Sequence, residues 1–340
     1  MSSFTGLEIA KRGLVAQLKS IEVAGQNIAN ANSPGYSRQV ALHSTVFSGE
    51  TSSVHSSVQN IAMSGVEVTE VYRQYDAFLI ARVRELTAHS QEVTARHDVL
   101  SRLEELLHEP GEATIGTGME DLWVSFGQLA TNPRSEAARN TVLYHARALA
   151  GSFAETARDM EALQGEMAQR LRTDVQRLNA LTASLAEVNS RIVASAAAPG
   201  AAAPNALVDE RDRLLQQVAE LADIKAVERS HGAVQVFLAG RTLVDGTAHA
   251  AVELERSAGS LQLVLGDIPF TDVGGALQGQ LVAYNEDIPK YMSLLDDVAR
   301  EVMDQVNTIH EMGYDMDGDA GQDFFTGTGA RDMAVVVEAH

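Results

Sequence analysis

Residues 4–39 read FTGLEIAKRGLVAQLKSIEVAGQNIANANSPGYSRQ, an apolar helical stretch that runs directly into an asparagine-rich stop. Leu7, Leu14, Ile21 and Ile28 recur every seven residues, with Phe4 and Leu18 on the neighbouring row. A seam kept in heptad register is built to lie against another helix. Lys11 and Gly25 interrupt the second row. Gly6, Gly13 and Gly25 each weaken the helix by roughly 1 kcal/mol relative to alanine. The segment is therefore expected to be marginal alone and ordered mainly by a partner. The rest of the chain offers no obvious helix left over to pair with it, so intermolecular packing is expected there.

The string Asn27-Ile28-Ala29-Asn30-Ala31-Asn32-Ser33-Pro34-Gly35-Tyr36-Ser37-Arg38-Gln39 ends the helix by several means at once. Asn30 and Asn32 tolerate left-handed backbone and bond to their own main chain. Pro34 pushes Ser33 out of the helical region, and Gly35 permits a sharp turn.

As a whole, this string resembles the N-terminal signature of the axial-protein family of the bacterial flagellum, which comprises rod, hook and hook-associated proteins. Asn27, Asn30, Asn32, Pro34, Gly35, Tyr36, Arg38 and Gln39 carry the likeness, and the Ser37-Arg38-Gln39 ending is most similar to the hook-associated protein 1 family. Three further stretches point the same way. They are Asp121-Leu122-Trp123 through Asn132-Pro133-Arg134 to Ala138-Arg139; Asn205 to Asp212, leading to Val244-Asp245-Gly246; and Val306 to His310 with Gly313 to Phe325. The resemblance implies a structural protein of the hook–filament junction that associates with itself in a ring. It also implies contacts with the hook protein and a second junction protein. Its implied location is extracellular, in the flagellum, reached through the flagellum's own export apparatus without a cleaved signal. The family normally finishes with a long amphipathic helix that pairs with the N-terminal one and carries the export-chaperone site. This chain stops short of it, as a fragment or a truncated product would.

Two other readings compete. A different axial component, a hook or rod protein, would share the opening signature but lack the Asn205–Asp212 and Asn307–Phe325 patterns. A cytoplasmic coiled-coil adaptor or chaperone would account for the heptads but leaves the Asn27–Gln39 string unexplained.

Composition narrows the field. The 340 residues include 26 Lys plus Arg against 46 Asp plus Glu, a net charge of −20. So acidic a chain is repelled by nucleic acid and by anionic membrane surfaces, and neither is expected as a partner. There is no cysteine, hence no disulfide, thiol nucleophile or thiolate-ligated metal. The N-terminus lacks a basic region followed by an apolar core, and no run of about 18 apolar residues occurs.

The expected fold is mainly α with a small antiparallel β module: an elongated bundle of long helices headed by a coiled-coil-type N-terminal helix. The linear organisation expected is an assembly helix plus extended linker (1–68), a long-helix body (69–222), a β module (223–272) and return helices (273–340). Helices are expected over 72–108, 117–130, 134–195 and 206–221. The third contains Leu171, Leu178, Leu185 and Ile192 in one series and Met160, Met167, Leu181 and Val188 in another. At 1.5 Å per residue it would be about 90 Å long. The heptad rows of 134–195 and 275–312 are expected to be intramolecular core. Asp209-Glu210-Arg211-Asp212-Arg213 reads as a charged, salt-bridged face. Between 224 and 270 the period changes to two, with turns at Ala239-Gly240 and Ser257-Ala258-Gly259-Ser260. Pro289 lies inside the heptad series of 275–312 and predicts a kink or two helices meeting there.

Asp315, Asp317, Asp319 and Asp323 stand at calcium-loop positions 1, 3, 5 and 9, but Ala320 replaces the required glycine and Thr326 the required glutamate. The ten histidines include no pair at helical ligand spacing, and nucleophile-elbow and phosphate-loop motifs are absent. No catalytic, cofactor-binding or metal-binding residue is expected.

Overall fold

The computed structural model describes residues 2–33, 35–48, 62–107, 114–196, 204–229, 232–270, 272–314 and 318–337. The fold is mainly helical, with small antiparallel sheets. The chain divides into two compact units, residues 1–87 with 179–250, and residues 88–178 with 251–340. The residues of two long helices, Ala77–Leu107 (α2) and Glu136–Ala196 (α4), are shared between the units.

The first unit opens with helix α1 (Ser2–Ala29), followed by a hairpin of β1 (Gln39–Ser48) and β2 (Ala62–Arg73). In the sequence, residues 40 to about 68 read as extended or loosely β, and Gly65–Val71 alternates as a short strand. The hairpin is longer than that, and its alternation is hidden by register shifts between Leu42 and His43 and between Thr45 and Phe47. Helix α5 (Asn205–Leu221) leads into a four-stranded meander, β3 (Ile224–Glu228), β4 (Val234–Leu238), β5 (Arg241–Asp245) and β6 (Ala248–His249). Val236, Leu238, Leu243 and Val244 are buried, as are Leu185 and Ile192 of the α4 heptad series and Leu215 of α5.

The second unit holds the rest of α2 and α4, with α3 (Ile115–Thr131), whose first turn is capped by Thr114 Oγ1 accepting from the Thr117 N–H at 3.1 Å. Phe153, Met160, Met167, Leu171 and Leu178 are completely enclosed, so this stripe is core. A three-stranded meander follows, β7 (Val252–Ser257), β8 (Ser260–Leu265) and β9 (Ile268–Pro269). The strands between 224 and 269 thus form two sheets, one in each unit. Both expected turns form in left-handed backbone, Ala239 and Gly240 at φ 46° and 78°, Ala258 and Gly259 at φ 50° and 91°.

Pro289 has the effect its chemistry requires. Helix α6 (Gly275–Val282) passes through one π-helical turn, Ala283–Asp287, before α7 (Ile288–Glu311) starts with the proline in its first turn. The Ile288 N–H reaches back five residues to the Ala283 carbonyl. Widening the helix there accommodates a residue with no N–H to donate. Where α6 meets α2 the backbones nearly touch. A Cβ on Gly279 would sit 2.2 Å from the Glu92 carbonyl oxygen, so only glycine fits. Arg96 of α2 then forks onto Asp287 of the π turn, Nε to Oδ2 at 2.7 Å and Nη2 to Oδ1 at 2.9 Å, which raises the guanidinium pKa further. The chain closes through a short bridge of β10 (Phe325–Thr326) and β11 (Ala334–Val335).

One device recurs four times. An asparagine carboxamide on a helix pairs with both the N–H and the C=O of one extended residue, as a neighbouring strand would. Asn27 does this to Gln39, Asn189 to Val234, Asn285 to Leu261 and Asn307 to Phe325, at 2.8–3.1 Å throughout. Each use satisfies both main-chain groups of one extended residue.

Candidate assembly surface

Helix α1 is expected from sequence to await a partner, but the structure gives it one within the chain. The helix packs on β1 and β2 through the face holding Ala16 and Val23, which are 1% and 5% exposed. Ser20 Oγ meets His43 Nε2 at 2.9 Å on the same side. The inner face was hidden in the sequence because alanine, serine and a lone valine give no apolar period.

The outer face is the heptad seam. At about 100° per residue, Ala16 and Val23 lie roughly 200° on from Leu14 and Ile21, so docking one face turns the other to solvent. Phe4, Leu7, Leu14, Leu18, Ile21 and Ile28 are all between 58% and 81% exposed. Six large apolar side chains in a row are a contiguous patch of the kind that marks an interaction site.

The residues of the Asn27–Gln39 string divide by role. Asn27 Oδ1 accepts from both the Gln39 N–H and the Tyr36 hydroxyl at 2.9 Å, while its Nδ2 donates to the Gln39 carbonyl at 2.8 Å. The string therefore closes on itself as well as ending the helix. Burial, and then Asp209 nearby, raise the Tyr36 pKa above its ordinary value. Asn30 bonds locally, Nδ2 donating to the Gln26 carbonyl and Oδ1 accepting from Ser33. Asn32 and Arg38 are exposed, and the Arg38 carbonyl accepts from the Gln74 N–H. Pro34 lies outside the described residues. Gly35 takes φ +82° with Arg213 of α5 so close that a Cβ would stand 2.9 Å from the Arg213 Cβ.

Behind this turn sits a buried charge cluster that the sequence did not announce. Arg73, the last residue of β2, places Nε 2.8 Å from Asp209 Oδ1 and Nη2 2.7 Å from Asp212 Oδ2, and also donates to Ser37 Oγ at 2.9 Å. Arg84 of α2 lies 3.5 Å from Asp212, and Arg211 contacts Asp212 while donating to the Gly232 carbonyl. The Ser37 N–H donates to Asp209 at 3.3 Å. Burial pushes the Asp209 carboxyl up, outweighing the pull of Arg73 and the Ser37 N–H. The Asp209–Arg213 run is thus not a surface face: Arg211 and Asp212 are 3% and 8% exposed. Ser37, Arg73 and Arg84 lie more than a hundred residues from the aspartates they meet, beyond the reach of any local pattern.

Asp315 and Asp317 lie outside the described residues, and among the described residues no group of acidic or histidine side chains could hold a metal. Among them, too, no helix is long and apolar enough to cross a membrane.

The profile described as "Flagellar hook-associated protein FlgK helical domain" matches residues 100–325. The chain belongs to this family. Residues 7–36, which include the seam from Leu7 onward and most of the turn, match the profile of flagella basal body rod proteins. Flagellar hook-associated protein 1 of Bacillus subtilis is 27% identical over 362 residues, covering 96% of this chain and 71% of that protein. The Escherichia coli protein of the same name is 26% identical over 332 residues, covering 93% of this chain and 59% of that protein. This FlgK-family chain therefore spans between about half and three quarters of such relatives. In fold it is similar to the flagellar hook junction protein FlgK of Burkholderia pseudomallei, with TM-score 0.65 and 24% identity over 72% of this chain and 46% of that one. Membership places it among the hook-associated structural proteins of the bacterial flagellum.

Proposed function

We propose that this chain builds the hook–filament junction by packing the outer seam of α1 against neighbouring subunits, copies of itself arranged in a ring among them. The observation that carries the reading is the two-sided use of α1: one face docked on its own hairpin, the other left in water with six large apolar side chains. Burying such a seam is favourable at about 25 cal/mol per Å² and needs no special chemistry, only a second helix of matching period. The hook protein and a second junction protein are the neighbours the family implies. Residues 1–68 act as the assembly segment, 69–222 and 273–340 as the helical body, and 223–272 as the strand-rich part it carries. The role is mechanical, with no catalytic step. Its place of action is outside the cell, reached by export without a cleaved signal, and no residue here is assigned to an export chaperone.

The test is location and attachment. Flagella sheared from cells should contain the chain, and purified chain should bind isolated hooks. Recovery only from cytosol, with no binding to hooks, would favour a coiled-coil adaptor instead.

A further inference from the structure

We infer that the cluster of Arg73, Arg84, Arg211, Asp209 and Asp212, with Ser37 and Gly35, is the lock that fixes the direction in which α1 presents its seam. The inference rests on the assembly reading above and assigns positioning residues to it. Helix α1 and the β1–β2 hairpin form one packed lobe, and the Asn27 carboxamide clips the end of the helix to the first strand. That lobe is held to α5 by few attachments. Asn205 Nδ2 donates to the Val71 carbonyl at 2.9 Å, Arg73 forks onto Asp209 and Asp212, the Ser37 N–H reaches Asp209, and Gly35 lies flush against Arg213. All of them gather at one end of α1, so a small rotation there becomes a large displacement at Phe4.

The chemistry suits a lock better than a source of stability. Three guanidinium groups face two carboxylates, leaving one surplus positive charge in a buried place; Arg84 Nε has no hydrogen-bond partner among the described residues, and Arg73 Nε meets Asp209 as a charge contact without hydrogen-bond geometry. Apolar residues would fill such a site at lower cost, so charge here specifies geometry. Arginine is required for it: only a planar fork reaches two aspartates and Ser37 together, which a lysine cannot do. Gly35 adds a steric condition, since any side chain there must leave both its left-handed backbone and its contact with α5.

The chain has no cysteine, so a spin-label pair can be placed cleanly at two exposed positions, Gln17→Cys on α1 and Ala206→Cys on α5. Distance distributions of the free full chain by pulsed electron resonance should show one narrow peak. Asp209→Asn and Arg73→Met should broaden it at least two-fold, Arg73→Lys should fall between, and helix content should stay unchanged. The same variants should bind isolated hooks at least ten-fold more weakly although every seam residue is intact. If Arg73→Met fails to fold, Ser37→Ala and Gly35→Ala read the same lock more gently. An unchanged narrow peak in folded variants would overturn the lock whatever happens to binding. A seam variant, Leu14→Gln with Ile21→Gln, should keep the narrow peak and lose hook binding. Retained binding in that variant would instead overturn the assembly reading.

Discussion

Replacing Leu14 and Ile21 together by glutamine separates the two faces of α1 quantitatively. The side chains are 64% and 67% exposed in the free chain, so about two thirds of their burial is left to be gained in assembly. Full burial of a leucine or isoleucine is worth about 1.5–3 kcal/mol, which leaves roughly 1–2 kcal/mol at each site. The double variant should weaken hook binding by about 2–4 kcal/mol, some 30- to 1,000-fold in Kd. Glutamine is nearly as good a helix former as leucine and slightly better than isoleucine, so the free chain should melt within about 2 °C of wild type. The assays are titration of purified chain onto isolated hooks and thermal unfolding by circular dichroism. Ala16→Leu is the mirror experiment: it overfills the docked face and should cost about 1–3 kcal/mol in the free chain. The reasoning is refuted if the double variant binds as wild type, or if it unfolds more than about 5 °C early, which would make the seam internal core.

Other outcomes follow from single sites. Asn189 is fully buried, and Asn189→Asp replaces two donated bonds to the Val234 and Gly246 carbonyls by repulsion; it should destabilise the first unit by about 3–5 kcal/mol in urea unfolding. Ala258 occupies left-handed backbone in the exposed β7–β8 turn, and Ala258→Asn, completing an Asn-Gly pair, should stabilise by about 0.5–1 kcal/mol in the same assay. Asp332 accepts from the Thr328 and Gly329 N–H groups and the Thr328 hydroxyl, bonds that hold its carboxyl below the usual value. A carboxyl held low in the folded chain stabilises it above the ordinary carboxylate pKa, and that contribution is lost as pH falls through the lowered value. Amide exchange at Thr328 and Gly329 should therefore show protection at pH 6 that disappears in strong acid, and Asp332→Asn should lose it at pH 6.

What the sequence disclosed and what it hid follow one physical line. Periodic features were legible: the Leu171–Ile192 series is core, Pro289 disturbs its helix, and the Ala239 and Ala258 turns form where alternation breaks. The exposed row Leu7–Ile28 was equally plain, because a heptad shows itself wherever it points. Hidden were features made by residues remote in sequence or lacking a period. The docked face of α1 depends on Ala16, Ser20 and Val23, which read as filler until a hairpin lies against them. The hairpin itself was masked by its register shifts. Arg73 and Asp212 are 139 residues apart, so a pair that anchors the turn looked like ordinary surface charge. Of the four asparagines that imitate strands, Asn189 and Asn285 carry no local mark at all, since an asparagine on a helix is commonplace.

The most direct measurement uses the absence of cysteine in the chain. With Leu14→Cys or Leu7→Cys as its single thiol, the free chain should react with a bulky maleimide at the rate of an unfolded peptide, within about ten-fold, because these positions are more than half exposed. The same thiols in the hook-bound chain should be protected at least a hundred-fold, and Ala258→Cys reports labelling of the free chain away from the seam. Equal reactivity of Leu7→Cys and Leu14→Cys in the free and the bound chain would contradict the claim that α1 keeps its outer face for its neighbours.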